Sequence, residues 1–380
     1  MRVLTLSHEL PPLGGGGGRM CYDLAHEVAR AGHAVDIVTM GRKGLPRHEK
    51  AAGIAIYRVR CLRRREDESY TGEKITYVVA ALSHLRKLGG VRQYDLIHCH
   101  FILPAGLVAY LATLFRPTPL IITCHGSDVP GYNPDDFALE HRLAGPIWRR
   151  VLARTSVLVS PSDAVRQLVD RASHHNGLRI ELIPYGFYAD RFRCSRREPK
   201  ILLVSRLVRR KGFQYFLQAL RGLDLRGYEV HIVGDGPFRP ELEALAREVG
   251  APVRFWGWVD NQSPEIVELF ETSSIFVLPS ESENFPVSLL EAMTAGLAII
   301  TTNVRGCPEV VGNTALLVPP RDPMAIREAL SQLVADPELV AQLGDAARRR
   351  VKEKFDWSVV TRQYLQACEA AIAKNAGRRR

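Results

Sequence analysis

No uncharged apolar run in the 380-residue sequence is long enough to cross a bilayer. The longest candidate, residues 101–115, falls short of the about 20 residues that a spanning helix needs, and it contains Pro104 and Gly106. It is therefore predicted to form a buried loop and a helix. The apolar stretch at residues 3–6 ends at the polar Ser7, so it lacks the length of a signal-peptide core, and a cytoplasmic location is expected.

Paired cysteine motifs are also missing. The seven cysteines are scattered without a C-x-x-C pair, which argues against a disulfide scaffold and favours reduced thiols. His98-Cys99-His100 resembles a metal motif. At a strand end, however, the two histidines would share one face and Cys99 the other, so one ion could not easily take all three. No metal site is expected, and the triplet is interpreted as a strand end.

What the sequence does contain is typical of a soluble globular protein. Hydrophobic residues make up 46% and charged residues 24%, and the length suggests two domains that each bury a core. The net charge is +10. From Arg42 to Arg65 nine basic residues accompany one acidic residue, Glu49, and the chain ends in Arg378-Arg379-Arg380. Such clusters attract nucleic acid, anionic lipid or phosphorylated substrates, and a solvated basic surface is the alternative.

Short apolar runs alternate with amphipathic stretches, and this alternation predicts two largely parallel sheets, each covered by helices on both faces. We predict strands near 2–7, 34–40, 54–60, 95–99, 119–124, 156–160, 179–183, 200–205, 228–233, 252–256, 274–278, 297–301 and 314–318. The fold class is therefore α/β with two doubly wound, Rossmann-like domains. After Pro320 only helices are predicted, with Asp322, Asp336 and Asp356 as N-caps.

The charged, aperiodic segment 189–199 marks the boundary between the domains. The expected organisation is an N-terminal domain over 1–190, a C-terminal domain over 191–355, and a final helix over 356–380 that packs back on the N-terminal domain and ends in a basic tail. Ligands of such sheets bind beyond the carboxyl ends of the strands, so we expect the two domains to face each other across a ligand-binding cleft.

Two loops that follow predicted strands can bind anions. Pro11-Pro12-Leu13 precedes five glycines, and this loop matches neither the dinucleotide fingerprint nor the P-loop. It is either a ligand-facing loop, since bare backbone amides can approach an anion closely, or a flexible turn. The segment 205–212 adds Arg206 and Lys211 at the start of a helix, which favours a diphosphate, with a solvated basic turn as the alternative.

A third loop carries two carboxylates, Glu283 and Glu291. If residues 283–291 were all helical, the two would lie about 12 Å apart, beyond the about 5 Å of a retaining hydrolase pair. They are therefore interpreted as separate acceptors for hydroxyl-rich ligands such as a ribose and a sugar. Compensation of the helix dipole would explain Glu283, but it explains Glu291 poorly because that residue lies within an apolar run.

These residues resemble glycosyltransferase family 4, whose members are retaining enzymes of the GT-B fold. Glu283 and Glu291 form the family's E-x7-E pattern, and Ser205 to Gly212 is similar to its G-R-L-x-x-x-K-G segment. Further matching motifs run along nearly the whole chain in the same order: the Pro-Pro and glycine loop, Ala31-Gly32-His33, 95–100, 123–128, 183–186, 232–237 and 306–311.

The resemblance implies a role for each matching position. Arg206 and Lys211 would hold the donor diphosphate, Glu291 would accept from the ribose hydroxyls, and His125 would approach the sugar or the reacting oxygen. Glu283 and the backbone amides of the segment Asn284, Phe285, Pro286, Val287 and Ser288 would hold the sugar and phosphates. Gly15 and Gly16 would face the diphosphate. The sequence departs from the family's Gly-Phe-Gly at Asn284-Phe285-Pro286, which leaves the donor sugar open, and its five glycines replace a pair.

The function implied is a retaining hexosyltransferase that moves a sugar from a nucleotide diphosphate donor, such as a UDP- or GDP-sugar, to an acceptor hydroxyl. No Asp-x-Asp pair exists in the chain, so no metal or other cofactor is expected. A nucleotide-sugar epimerase and a non-catalytic nucleotide-sugar-binding protein remain alternatives. Nucleic acid is not an expected partner, because the chain has no aromatic-basic platform motif.

The basic loops 41–50 and 61–70 are expected at the ligand edge of the N-terminal domain, which receives the acceptor in this family. Their charge suggests an anionic acceptor, either lipid-linked at the cytoplasmic face of a membrane or soluble. The acceptor-side candidates are His100, Arg63, Arg64 and Arg65.

Overall fold

The computed structural model describes residues 1–51, 53–66, 68–115, 118–132, 134–173, 177–193 and 197–377. Cys194 and the terminal arginines 378–380 lie outside this range. The chain divides into two compact units: unit 1 comprises residues 1–186 and the chain from Trp357 onward, and unit 2 comprises residues 187–356. The unit boundaries fall at 186/187 and 356/357, where the sequence had suggested 190/191 and 355/356, and the last helix belongs to unit 1.

Unit 1 is built on a sheet that is parallel except at one edge. Its strand order is β3-β4-β2-β1-β5-β6-β7-β8, and only β3 runs antiparallel to its neighbour. The strands in the described residues are β1 (Arg2–Leu6), β2 (Ala34–Met40), β3 (His48–Ala51), β4 (Ile54–Val59), β5 (Leu96–His100), β6 (Leu120–Thr123), β7 (Val157–Ser160) and β8 (Ile180–Leu182). The central strands β5, β6 and β7 are fully buried, as expected for a sheet covered on both faces.

Strand β3 lies in a segment that the sequence assigned to a loop, residues 41–50. It pairs with β4 so that His48 lies opposite Tyr57, and their rings stack with centroids 4.8 Å apart. The sequence of β3 is almost entirely polar, so it lacks the apolar alternation that predicts a strand. The prediction of a loop was wrong over these residues.

Helices cover this sheet on both faces. In the described part of unit 1 they are α1 (Gly16–Arg30), α2 (Thr71–Lys87), α3 (Ala105–Ala112), α4 (Pro134–Arg154) and α5 (Asp163–Ser173), together with the final helix α13 (Trp357–Gly377). Helix α13 packs on α1 and β6. Its first residue, Trp357, lies so close to Gly186 that a Cβ at position 186 would stand 2.3 Å from the indole ring.

Unit 2 is a six-stranded parallel sheet with the order β11-β10-β9-β12-β13-β14. Its strands are β9 (Lys200–Val204), β10 (Glu229–Val233), β11 (Val253–Gly257), β12 (Ile275–Leu278), β13 (Ala298–Thr302) and β14 (Leu316–Val318). Its helices are α6 (Phe213–Ala219), α7 (Arg239–Val249), α8 (Pro264–Thr272), α9 (Val287–Ala295), α10 (Gly306–Val311), α11 (Pro323–Ala335) and α12 (Pro337–Lys354). The fold class predicted from the sequence, α/β with two Rossmann-like parallel sheets, is confirmed.

The predicted caps of α11 and α12 are also confirmed. The Asp322 carboxylate accepts hydrogen bonds from the backbone amides of Met324 and Ala325, and Asp336 accepts one from Leu339. Both helices have proline at their first position, where the missing amide hydrogen costs nothing. Asp356 immediately precedes α13, and its Oδ2 accepts from the Ala189 amide at 3.4 Å.

Candidate active site

Each sheet has a point where the strand order reverses, and the predicted functional loops lie there. In unit 1, β1 lies between β2 and β5, and the loops after β1 and β5 carry the glycine run and residues 101–104. In unit 2, β9 lies between β10 and β12, and the loops after β9 and β12 carry residues 205–212 and 279–286. Open α/β sheets bind ligands at such points, so each unit has its own candidate ligand-binding edge.

In unit 2 the structure brings Lys211 and Glu283 together from these two loops. The Lys211 ammonium is 2.5 Å from Glu283 Oε1, and the Ser280 hydroxyl donates to the same oxygen at 2.7 Å. The Lys211 side chain is 19% exposed and that of Glu283 is 9% exposed. A cation and a carboxylate, 72 residues apart in sequence, thus share one partly desolvated position at the carboxyl edge of the sheet.

Two glycines allow the backbones of these loops to approach closely. Gly212 follows Lys211 with φ at +74°, and a Cβ there would lie 1.9 Å from the Pro279 carbonyl oxygen. Gly306, at the start of α10, is packed so that a Cβ would lie 1.5 Å from the Asn284 carbonyl oxygen. No other residue fits at either position without moving the backbone. The glycines therefore fix the loops that carry Lys211 and Glu283 against their neighbours.

Glu291 lies on α9 and is held by a residue that the sequence analysis did not single out. Its Oε1 is 2.9 Å from the Arg191 guanidinium, and its side chain is only 4% exposed. Arg191 comes from the segment that opens unit 2, 100 residues earlier in the sequence. Sequence spacing gives no signal for such a long-range pair, although a carboxylate within an apolar helix does indicate that a cationic partner is needed.

The remaining donor-side residues occupy the same loops. Arg206 follows β9 and its side chain is exposed. Asn284 and Phe285 are buried, and the Phe285 ring packs edge-on against Phe355 with centroids 5.6 Å apart. Pro286 is the N-cap residue of α9, and Val287 and Ser288 begin that helix. The first backbone amides of α9 point toward the N-terminal end of the helix. That end lies four residues after Glu283 in the sequence.

In unit 1 the glycine run folds over a half-buried carboxylate, Glu9. Its Oε2 accepts a hydrogen bond from the Gly15 amide at 3.2 Å, and Gly16 is the first residue of α1. The next residue, Gly17, faces the ring of His125: a Cβ at Gly17 would lie 3.3 Å from it. Burial raises the pKa of Glu9. Sequence analysis missed Glu9, for which its place in the loop that follows β1 was the available signal.

His125 follows β6 and belongs to a chain of hydrogen bonds. Its Nε2 is 3.0 Å from Nδ1 of His100, and its Nδ1 is 2.7 Å from the Tyr185 hydroxyl. Both ring nitrogens of His125 therefore have partners within unit 1. The prediction that His125 approaches the sugar or the reacting oxygen stays a prediction. A contact through a ring nitrogen would require one of these hydrogen bonds to break, whereas a contact through a ring C–H would not. His100 lies beside His125 rather than at the surface.

A second series of hydrogen bonds lies next to the first. His98 Nε2 is 2.8 Å from the Thr123 hydroxyl, which is 2.9 Å from the hydroxyl of Tyr364 on α13. The rings of His98 and His100 lie 4.5 Å apart, so the prediction that the two histidines share a strand face is confirmed. Cys99 points away and donates to the Ala105 carbonyl oxygen. The final helix thus contributes one member to the histidine network.

Burial sets the protonation of this network. It lowers the pKa of His98 to about 4, and together with the nearby His98 it lowers the pKa of His125 to about 3. The pKa of His100 also lies well below its usual value. Asp128 connects the loops after β5 and β6, because it accepts from the amides of Ile102 at 2.6 Å and His125 at 2.9 Å. The three histidines are therefore neutral at pH 7 and serve as hydrogen-bonding groups.

The basic surface differs from the sequence-based expectation at one candidate acceptor residue. Arg63 is 7% exposed, and its guanidinium donates to the carbonyl oxygens of Arg65 at 2.8 Å and Glu66 at 3.0 Å. The prediction that Arg63 presents a surface charge was wrong, because the loop turns this side chain inward. Arg64 and Arg65 are exposed.

Arg58 is buried as well, since it lies within β4 and pairs with Glu49. Groups of three or more histidine, cysteine, aspartate or glutamate side chains that could hold a metal ion are absent from the described residues. Over the same part of the chain, all six cysteines are free. None of the described helices combines the length and the apolar character that spanning a membrane requires.

Two family models match the chain. The one described as Glycosyltransferase Family 4 matches residues 14–191, and the one described as Glycosyl transferases group 1 matches residues 198–336. A glycogen synthase of Mycobacterium tuberculosis is 29% identical over 98% of this chain and 95% of its own. A GDP-mannose-dependent alpha-(1-6)-phosphatidylinositol monomannoside mannosyltransferase of the same species is 26% identical over 97% of this chain and 99% of its own.

A sucrose-phosphate synthase from Thermosynechococcus elongatus has a similar fold. The two structures superpose with a TM-score of 0.82 at 23% identity, over 98% of this chain and all of the other. The two Rossmann-like parallel sheets have the GT-B fold. The family models and the relatives, rather than the fold, support a glycosyltransferase that uses a nucleotide-sugar donor. The chain belongs to the family-4 glycosyltransferases.

Proposed function

We propose that this chain is a retaining hexosyltransferase whose unit 2 binds a nucleoside diphosphate sugar and whose unit 1 receives an anionic acceptor. Lys211 and Arg206 carry the positive charge for the diphosphate. Glu291 accepts from the ribose hydroxyls, and Glu283 accepts from the sugar. In this proposal no metal ion takes part, since cationic side chains and the amides that open α9 stabilise the leaving group.

Retention of configuration follows from attack on the face from which the phosphate departs. The bond between the anomeric carbon and the phosphate oxygen breaks, and its electron pair stays on the nucleoside diphosphate. The acceptor oxygen forms the new bond to the anomeric carbon, and its proton passes to the departing phosphate oxygen. Lys211 contributes most when that oxygen carries the developing charge, so its contact strengthens between ground state and transition state.

An anionic acceptor is supported by the exposed charge of unit 1. Lys43, Arg47, Lys50, Arg60, Arg64 and Arg65 remain exposed after Arg58 and Arg63 are accounted for. Exposed apolar residues follow the loop that carries Arg64 and Arg65: Tyr70 precedes α2, and Ile75 and Val79 lie one turn apart on that helix. One relative acts, by its name, on a phosphatidylinositol monomannoside. A lipid-linked acceptor at the cytoplasmic membrane face fits this combination, and a soluble phosphorylated molecule shares its charge.

The observation that carries the donor proposal is the Lys211–Glu283 pair at the strand-order reversal of unit 2, where two glycines hold its loops in place. UDP-, GDP- and ADP-sugars should be screened for protection against thermal unfolding, because a ligand that binds the native state raises its stability by mass action. NMR of the glycoside formed from the best donor then gives the anomeric configuration. Products with inverted configuration would contradict the retaining mechanism.

Two controls separate this proposal from other activities. Incubation of the donor without acceptor should leave the sugar stereochemistry unchanged, whereas an epimerase would convert it. Protection by all three classes of nucleotide sugar to an equal degree, without transfer to any acceptor, would instead indicate a binding protein. Transfer by the wild type that is lost when Lys211 is replaced by Met supports the assignment of the donor to unit 2.

A further inference from the structure

Glu291, the carboxylate assigned to the ribose, forms an ion pair with Arg191. Glu291 is 4% exposed, and one of its oxygens lies 2.9 Å from the Arg191 guanidinium. A buried carboxylate without a cationic partner is strongly disfavoured and takes up a proton instead. Arg191 therefore supplies positive charge beside the buried carboxylate and fixes the position of one of its oxygens.

Arg191 is itself held from several directions. Its second terminal nitrogen donates to the Asn261 carbonyl oxygen, in the loop that follows β11. Its guanidinium lies over the rings of Phe187 and Phe192, with the carbon 5.5 Å and 5.0 Å from their centroids. Phe192 is buried and packs on Phe270 at 5.0 Å. Two hydrogen-bond acceptors and two aromatic rings thus hold the planar guanidinium of Arg191 in place.

We propose that Arg191 is a positioning residue that balances the buried charge of Glu291 and orients its carboxylate for the vicinal hydroxyls of the donor ribose. The inference rests on the proposed function, because it deepens the role given there to Glu291. A carboxylate has about four lone-pair sites, so one charge-assisted bond to Arg191 leaves capacity for hydroxyl donors. Arg191 does not contact the nucleotide; it acts through Glu291.

Lysine is not an adequate replacement at this position. The guanidinium donates to the Glu291 carboxylate with one terminal nitrogen and to the Asn261 carbonyl oxygen with the other. An ammonium is a point charge with a single nitrogen and cannot reach both acceptors in this way. Arg191→Lys keeps the positive charge but loses the geometry, and Arg191→Met loses both. Comparing the two variants separates the contribution of charge from that of orientation.

The test measures ribose recognition directly. Calorimetric titration is carried out with UDP, GDP and ADP and with the 2′,3′-dideoxy form of each. For the nucleotide that binds best, the wild type should prefer the ribose form by about tenfold to a hundredfold, as expected for hydrogen bonds to a charged acceptor. Arg191→Met should lower this preference to threefold or less while changing the affinity for the dideoxy form by no more than about twofold.

Three further variants control the experiment. Arg193→Met removes a neighbouring exposed arginine and should keep the full preference. Glu291→Gln should lose it. The double variant Arg191→Met with Glu291→Gln removes the unpaired buried charge, and it should bind like Glu291→Gln alone if the two residues act as one unit. Circular dichroism and gel filtration establish that each variant is folded.

The outcomes distinguish the inference from the proposed function. A preference that is lost in Glu291→Gln but kept in both Arg191 variants would overturn the role of Arg191 and leave the ribose role of Glu291 intact. An Arg191→Met variant that weakens ribose and dideoxy forms equally would make Arg191 a general structural residue and would also overturn the inference. Wild-type protein without any preference would overturn the ribose assignment and the inference together.

Discussion

The Lys211 ammonium and Glu283 Oε1 are 2.5 Å apart, so the cation assigned to the donor phosphates already has an anionic partner. An incoming diphosphate must share Lys211 with this carboxylate or displace it. The pair is partly desolvated, which makes both its attraction and the cost of separating it larger than at an exposed site. In the proposed donor site, Glu283 would therefore tune how strongly Lys211 attracts phosphate, in addition to its proposed contact with the sugar.

Replacing Lys211 by Ala should lower turnover by about 10²-fold, or roughly 3 kcal/mol. The reason is the loss of a charge-assisted contact that strengthens as the diphosphate departs. Steady-state kinetics with the donor found by the stability screen measures this effect. The double variant with Glu283→Gln controls for the carboxylate that the single change leaves without its cation. Unchanged turnover in a folded Lys211→Ala protein would remove the diphosphate assignment.

The two glutamates should differ in nucleotide binding. Glu291→Ala is expected to weaken binding of the free nucleoside diphosphate by about tenfold or more, because it loses a charged acceptor for the ribose. Glu283→Ala should not weaken that binding, since it releases Lys211 for the phosphates, but it should depress transfer. Calorimetric titration of both variants against the wild type checks this difference. Equal loss of nucleotide binding in both would show that the roles are assigned wrongly.

Divalent metal ions should be dispensable. Because cationic side chains and backbone amides are proposed to stabilise the leaving diphosphate, turnover in excess EDTA should remain within about twofold of turnover in Mg²⁺ or Mn²⁺. Initial rates measured after exhaustive dialysis against EDTA, and again after each ion is restored, test this expectation. A rate that collapses in EDTA and returns with one ion would contradict the metal-free mechanism.

Stability should fall as the pH drops below about 6.5. The pKa values of His8, His98, His100 and His125 are all lowered by burial, so the unfolded chain binds protons that the folded chain does not. Each histidine contributes about 1.4 kcal/mol per pH unit between 6.5 and its folded value. The raised pKa values of Glu9 and Asp128 act in the opposite direction, and the histidines outnumber them.

Urea unfolding at pH 7.5, 6.5 and 5.5 measures this slope. His98→Gln removes one titrating group while keeping a hydrogen-bond acceptor and donor near Thr123. It should reduce the slope of unfolding free energy against pH by about 1.4 kcal/mol per pH unit, the contribution of one bound proton. An unfolding free energy that stays flat between pH 6.5 and 5.5 in the wild type would show that these histidines are not held neutral by the fold.

Membrane association is expected to depend on Arg64 and Arg65. Each basic residue near an anionic bilayer contributes about 1 kcal/mol, so replacing both by Ser should weaken binding by roughly 30-fold. Vesicle co-sedimentation with and without anionic lipid, at two salt concentrations, tests this. Arg149→Ser with Arg150→Ser removes two exposed charges elsewhere in unit 1 and serves as the matched control. Equal binding to neutral vesicles, or none to either kind, leaves a soluble acceptor.

Arg63 is left out of that variant because its side chain supports the fold. It donates to the Glu66 carbonyl oxygen, which also accepts from the Gly14 amide at 2.7 Å. Its replacement would loosen the glycine loop and confuse a loss of structure with a loss of charge. The three consecutive arginines are indistinguishable in the sequence, and only the path of the loop separates the buried one from its exposed neighbours.

The parallel strands could be predicted because a strand buried on both faces is a continuous apolar run, as in Ile275–Leu278. The loops with functional residues followed from those strands, since their carboxyl ends lie at one edge of each sheet. Helix caps such as Asp322 depend on neighbours three residues away, so local sequence was sufficient for them.

The partners of the site residues could not be predicted in the same way. Arg191 reaches Glu291 across 100 residues, and Tyr364 reaches Thr123 across 241. Such pairs depend on how distant elements pack, and neither spacing nor composition carries that information. The position of Glu9 in the loop after β1 could be read from the sequence, but its hydrogen bond to Gly15 requires the loop to fold back on itself.

The chain passes from unit 1 into unit 2 after Gly186 and returns before Trp357. Unit 2 is therefore a continuous insertion within a discontinuous unit 1, and the two ends of unit 1 meet where Trp357 packs on Gly186. A chimera that exchanges donor specificity between related enzymes must be spliced at two places, 186/187 and 356/357. A graft with one junction would leave the last helix of one parent to pack against the first sheet of the other.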